Sequence, residues 1–297
     1  LCTLDELEPT VVVVHDAMAF PRSIARWAAA RGVPLAMLCH SDLTLAAAGL
    51  PPGLRGAAAA ALGATQRRAL RLPGLVLVAS RVSRDRVAPH TGARVVMSPL
   101  GVDVAGFRAA RPDVRLRARL APPGHALLLY AGRVSSEKRV DLLPTMLSHL
   151  GVPSTLVIAG TGAAENKLGR LAVRAGVADR VTMLGHVGDR ARLAALMATA
   201  DCFVHPNPNE PFGLCPIEAL AARCRVVVPA GSGTAEALGH RGAVVVPPGD
   251  AGALAAGVEE ALAGERPDDD LADLTWDRTF THEWDTYAGM RREAVCA

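Results

Sequence analysis

The 297 residues are 50% apolar and 21% charged, the balance of a soluble globular protein of about two domains. Aromatic residues make up only 3%, too few for the stacking platforms with which proteins hold nucleic acid, and no run of about 18 apolar residues lacks a charge, so neither a nucleic-acid binder nor a spanning helix is expected. Net charge is +3, but residues 1–120 hold 16 Arg, no Lys and 8 Asp+Glu, or +8, and the remainder carries −5. That asymmetry suits peripheral contact with an anionic membrane surface; the competing reading is an Arg-rich solvated face.

The chain opens at Leu1, not Met, and Val11–Val14 is too short for a signal-peptide core, so the sequence reads as N-terminally truncated with no leader. Short apolar strands then alternate with Ala/Leu-rich helices. Strands are expected at Val11–Val14, Leu35–Leu38, Leu75–Ala79 and Val95–Met97, and helices at Ile24–Arg31, Gly56–Arg71 and Ser83–His90. Arg- and Pro-rich residues from Arg108 to Pro123 mark a domain boundary. The second lobe repeats the alternation. Its strands are Ala126–Ala131, Thr155–Ala159, Val181–Met183, Cys202–Val204, Arg225–Val228 and Ala243–Val246; Glu165–Ala175, Asp189–Thr199, Pro216–Ala222 and Ala251–Ala263 are helices. Trp276–Arg292 is a final helix. This order implies right-handed βαβ units and parallel sheets, hence an α/β fold. Six scattered cysteines, with no CxxC pair and no His cluster, read as reduced packing residues, not metal ligands.

Ligands of open parallel sheets bind beyond the carboxyl ends of the strands. After Ala131 come Gly132, Arg133 and Lys138, two cations on one loop that suit a diphosphate. Lys138 is one of only two lysines against 30 Arg, in a place where an ion pair with Glu137 or Asp141 is the plainer reading. Gly160-Thr161-Gly162 permits a tight turn and a close backbone approach. Leu184, just past the next strand, lies where backbone groups could read a nucleobase.

The most informative segment is His205-Pro-Asn-Pro-Asn-Glu210-Pro-Phe212-Gly213-Leu214-Cys215-Pro-Ile-Glu218. Its prolines forbid a helix around Glu210, while Pro216 suits the first turn of the helix that carries Glu218. The helix start at Gly213–Cys215 is an anion site flanked by two carboxylates that can accept hydrogen bonds from vicinal hydroxyls. In the first lobe, His15-Asp16 and His40-Ser41-Asp42 close two neighbouring strands and are candidate site residues at those strand mouths.

These motifs, in this order, resemble family 4 glycosyltransferases of the GT-B fold, nearest to bacterial α-mannosyltransferases. Glu210 and Glu218, with seven residues between them, look like the family's Glu-x7-Glu motif, and Pro99-Leu-Gly-Val-Asp103 looks like its loop before the linker. The resemblance implies two Rossmann-like parallel-sheet domains facing across a cleft. Residues 1–120 are the incomplete acceptor side, 121–275 bind the nucleotide sugar, and the 276–297 helix crosses back. It implies a retaining, metal-independent transferase without cofactor. That enzyme moves a hexose, with mannose favoured and GDP-mannose as donor, from a nucleoside diphosphate sugar to a glycan or lipid-linked acceptor. Arg133 and Lys138 would neutralise the diphosphate, Glu218 would hold the ribose, Glu210 the sugar, and His40 would lie near the reacting carbon. A cytoplasmic protein, peripheral at the inner membrane face, is expected. An epimerase-like enzyme or a non-catalytic nucleotide-sugar-binding fragment stand as alternatives. Ala222-Arg223-Cys224-Arg225 departs from the family, which carries Gly and Pro in that turn.

Overall fold

A computed structural model describes residues 2–16 and 22–296; the side chains of Cys2 and Cys296, and of 293–295, lie outside that description. The chain divides into two compact units, Leu1–Gly101 with Trp276–Ala297, and Val102–Thr275.

The first unit holds a four-stranded parallel sheet of β1 (Val12–His15), β2 (Leu35–Cys39), β3 (Leu75–Val78) and β4 (Arg94–Met97), in that spatial order. Every residue of β2 and β3 is buried, the continuous apolar run of a parallel strand covered on both faces. Alternate residues face opposite ways. Met37, Cys39, Val76 and Val78 cluster with Leu70 and Val87, while Ala36, Leu38, Leu75 and Leu77 take Tyr287 and Met290 of the Trp276–Cys296 helix. That helix is tied down by Ser98 Oγ donating to Glu283 (3.1 Å) and Thr279 Oγ1 donating to the Pro99 carbonyl (2.8 Å). A short helix, Cys2–Leu7, for which the sequence reading named no element, precedes β1; Trp27 Nε1 donates to its Asp5 at 2.8 Å.

The second unit is a six-stranded parallel sheet. Its strands are β5 (Ala126–Ala131), β6 (Ser154–Ala159), β7 (Val181–Gly185), β8 (Cys202–Val204), β9 (Arg225–Pro229) and β10 (Val244–Val246). They lie in the order β10-β9-β8-β5-β6-β7. The chain runs outward one way from β5 through β6 to β7, then returns to start β8 on the other side of β5. The β5/β8 boundary is therefore the topological switch point, where crossover helices leave to opposite faces and a crevice opens beyond the strand ends.

The division falls at Gly101/Val102, ahead of the boundary expected at 120. The Arg- and Pro-rich stretch is structured. Asp103 caps the Val104–Ala109 helix, which buries Phe107, and Asp113 caps Val114–Leu120. Asp201 anchors it: its carboxylate accepts Arg117 (2.7 Å) and the Leu127 amide (2.8 Å) and lies 3.6 Å from Arg266. Asp201→Ala orphans that amide and is expected to destabilise this unit by about 2 kcal/mol, read as a lower denaturant midpoint at constant slope.

Arg108, Arg111, Arg115, Arg117 and Arg119 thus belong to the second unit. Counted by unit, the first carries 14 Arg and 10 Asp+Glu, or +4, and the second −1. The electrostatic basis for membrane contact is correspondingly smaller than the +8 read from residues 1–120. Among the described residues, no helix is long and apolar enough to cross a membrane.

Candidate functional site

The loops after β5 and β8 meet at the switch point. Lys138 Nζ donates to Glu210 Oε2 at 2.7 Å. Lys138 therefore pairs across the two loops, not with Glu137 or Asp141 as the plainer local reading had it. Glu137 takes Arg133 instead (2.9 Å), whose side chain is 66% exposed and so open to a ligand. Tyr130 Oη donates to the Arg133 carbonyl (2.8 Å), fixing the loop from the buried end of β5.

Glu210 is nearly buried and is gripped at one atom. Oε2 accepts Asn207 Nδ2 (3.0 Å) as well as Lys138, and His205 Nε2 lies 3.3 Å away. Burial by itself raises a carboxyl, but the His205 contact and the Lys138 cation together hold Glu210 well below the usual carboxylate range. It is a fixed negative charge at neutral pH. The Gly233 amide donates to its backbone carbonyl (2.8 Å), securing the loop from the other side.

Gly213 turns the chain into the Leu214–Ala221 helix with φ +87°, and a Cβ there would run into Thr234 Oγ1. Among the described residues, the amides of Gly213, Leu214 and Cys215 have no protein acceptor, which leaves a helix N-terminus open to an anion. Phe212 is buried beneath it and Leu214 is half-buried. Burial, with Glu218 and Glu210 nearby, pushes the Cys215 thiol up to about 12, so it stands as a neutral thiol. Glu218, one turn into the helix, is buried, which raises its carboxyl; Arg190 at 3.1 Å opposes that rise. Arg190 also lies over the Phe107 ring, 5.2 Å from its centroid.

Gly160 and Gly162 support the site from behind. A Cβ at either would collide with the carbonyl of Gly132 or of Val134, and the amides of Gly132, Val134 and Ala164 bond across the same junction. Leu184 does not follow its strand. β7 runs on to Gly185, and Leu184 sits half-buried on the outer edge of the sheet, two strands from the switch point.

The remaining candidates form a separate cluster in the first unit. Asp16 accepts the amides of His40 (2.9 Å) and Ser41 (3.0 Å) and the Ser41 hydroxyl (2.9 Å). Asp42 caps the turn that follows, accepting the Thr44 amide (3.0 Å). Both carboxylates are thus engaged locally. The His15 and His40 rings stand 5.6 Å apart, and burial, aided by His15 and opposed by Asp16, lowers His40 so that its imidazole is neutral.

The sequence reading missed Arg190 and gave no role to His205 or Asn207. Arg190 lies 28 residues from its partner Glu218, and only tertiary structure brings them together. His205 had a signal, since it is a polar residue directly after an apolar strand at the switch point.

Two family models match the chain, one described as Glycosyl transferases group 1 over residues 115–274 and one as Glycosyltransferase Family 4 over residues 3–105. The GDP-mannose-dependent alpha-(1-6)-phosphatidylinositol dimannoside mannosyltransferase of Mycobacterium tuberculosis is 34% identical over 230 residues. That match covers 76% of this chain but 58% of the relative's length. The D-inositol 3-phosphate glycosyltransferase of Streptomyces avermitilis is 33% identical over 59% of this chain and 43% of its own. Among solved structures, sucrose-phosphate synthase from Thermosynechococcus elongatus superposes with a TM-score of 0.81 at 19% identity, covering 97% of this chain and 75% of that one. Anabaena HepE in complex with UDP and glucose gives 0.70 at 20%, covering 93% and 78%. At these identities the structural likeness shows a shared fold.

Proposed function

Because this chain belongs to the group 1 glycosyl transferases, we propose that it serves a retaining transfer of a hexose from a nucleoside diphosphate sugar to an acceptor hydroxyl. One observation carries this reading. At the switch point a cation on the β5 loop and a carboxylate on the β8 loop are clasped together, beside a helix start whose first amides have no acceptor among the described residues. Cations and amides suit a diphosphate; Glu210 and Glu218 suit hydroxyls on either side of it.

In the reaction, the bond from the sugar C1 to the diphosphate oxygen breaks and a bond from the acceptor oxygen to C1 forms on the same face. The acceptor proton leaves with the departing diphosphate. Negative charge grows on that leaving group, so Arg133, Lys138 and the Gly213–Cys215 amides bind the transition state more tightly than the ground state. Positive charge supplied by the chain itself is the ground for proposing a metal-independent reaction. Glu218 would hold the ribose and Glu210 the transferred sugar.

The reading of GDP-mannose as donor and of a lipid-linked acceptor is supported by the relative described as a GDP-mannose-dependent alpha-(1-6)-phosphatidylinositol dimannoside mannosyltransferase. On this reading the protein works in the cytoplasm, at the inner face of a membrane. A thermal-shift comparison of GDP, UDP and ADP tests the site. A nucleotide at about 100 times its Kd stabilises the native state by about 2.7 kcal/mol, and Glu218→Ala should remove that stabilisation. If a cooperatively folded wild type responds to none of the three, the donor-site assignment is wrong.

A further inference from the structure

His205 follows β8 directly, and its amide donates to the Val227 carbonyl (2.9 Å), so the backbone is an extension of the sheet. Its ring is 5% exposed, and neither nitrogen makes an aligned hydrogen bond. Glu210 Oε2 lies 3.3 Å from its Nε2. An aliphatic residue would continue the apolar Cys202–Val204 run here without the desolvation cost of an imidazole. A buried His aimed at a single carboxylate oxygen needs another explanation than packing.

That explanation lies in how Glu210 is held. Lys138, Asn207 and His205 all close on Oε2, which leaves Oε1 with no protein partner among the described residues. On the donor-site reading above, Lys138 turns toward the diphosphate when the donor binds, and one of the three holds slackens. His205 and Asn207 stay on the β8 loop, which is stiffened by Pro206, Pro208 and Pro211 and by Asn207 Oδ1 accepting the Asn209 amide (3.0 Å).

We propose that His205 is a positioning residue that fixes Glu210 through Oε2 so that Oε1 is presented to the hydroxyls of the transferred sugar. It acts on the sugar half of the donor and not on the nucleotide half. This separates it from a merely structural histidine, whose loss would weaken both halves alike.

The test compares His205→Leu, which fills the space without a donor, with His205→Gln, which keeps an N–H. Calorimetry measures binding of GDP against GDP-mannose and of UDP against UDP-glucose. For His205→Leu the bare nucleotide should bind within about twofold of wild type, while the sugar nucleotide weakens about tenfold, the cost of one hydrogen bond to a charged group. His205→Gln should recover most of that loss. In a Glu210→Gln background, His205→Leu should add nothing, because the partner it positions is already altered. Parallel weakening of nucleotide and sugar nucleotide, or no weakening of either, overturns the proposal.

A ligand-free crystal structure of His205→Leu gives a second, independent reading. Glu210 keeping its place on Asn207 and Lys138 overturns the proposal; Glu210 swinging away supports it. A wild type that binds no nucleotide at all refutes the donor-site reading, and the structure of the variant still decides whether His205 holds Glu210.

Discussion

Lys138→Ala is expected to lower the rate of sugar transfer by about 10³-fold while leaving the fold intact. The figure is that for removing one preorganised group from a site where charge develops in the transition state. Lys138 Nζ sits at the mouth of β5, 22% exposed, and its partner Glu210 stays ionised through His205 and Asn207. The loss should appear in kcat as much as in kcat/KM, because the leaving diphosphate gains charge only as the bond to C1 breaks. Lys138→Arg is not expected to restore the rate. A planar guanidinium needs more room than an ammonium and cannot place one point charge between a carboxylate and a phosphate. Single-turnover kinetics on both variants checks this; a kcat within threefold of wild type for Lys138→Ala would remove Lys138 from the chemistry.

The same variant changes how stability depends on pH. Glu210 is held below its unfolded value, so its contribution is present above about pH 4.3, the ordinary glutamate value, and is lost as pH falls from there toward the folded value. Lys138→Ala removes part of that depression. Its stability should therefore lie below wild type at neutral pH, with the gap closing as the solution is acidified through the carboxylate range. Urea midpoints measured from pH 7 downward read this directly, and a gap that widens toward acid would contradict the assigned pairing.

How much of this was legible in the sequence depends on the kind of signal. The Ala126–Ala131 and Cys202–Val204 strands and the Ala251–Ala263 helix carry the expected limits, because apolar runs and Ala/Leu repeats report burial and period directly. The rigid turn from His205 to Glu218 was legible because proline acts locally. The Val114–Leu120 helix fell inside the Arg- and Pro-rich boundary at Arg108–Pro123, and Val104–Ala109 was given no element, since segments this short show neither period nor burial on their own. What fixes them is a local Asp cap each and, as a fact of tertiary contact, Phe107 and Leu120 going inside. The pairing of Lys138 with Glu210 spans 72 residues and depends on β8 lying beside β5, a strand order that the sequence does not spell out. Arg223 is a further instance. It takes a left-handed φ of +59° after the Leu214–Ala221 helix, the conformation glycine favours there, and its side chain reaches Asp268 at 3.0 Å.

Gly160→Ala is expected to weaken nucleotide binding at least tenfold from behind the site, with no ligand contact removed. The sequence marked Gly160 and Gly162 as a tight turn that permits a close backbone approach. In the fold they are where the β6 loop is pressed against the β5 loop. The Gly132 amide donates to the Ala159 carbonyl (3.0 Å) and the Val134 amide to the Thr161 carbonyl (2.9 Å). A Cβ on Gly160 would occupy the space of the Gly132 carbonyl oxygen, and the obstacle is backbone, so no rotamer change relieves it. The β5 loop has to move, and it carries both Arg133 and Lys138. Overpacking of this kind costs about 1–3 kcal/mol, or a few degrees in Tm for a unit of this size. That cost is small beside the loss of a preformed diphosphate cradle, because a displacement of about 1 Å is enough to spoil a positioned group. The signature is therefore a modest fall in Tm together with a large fall in nucleotide-induced stabilisation. Gly169→Ala, at a helix position where an added Cβ meets nothing within 4 Å, is the control; it should leave nucleotide binding unchanged and, as alanine favours the helix, should not lower Tm. A Gly160→Ala protein that binds nucleotide as wild type does would mean that the β5 loop is not held by this junction.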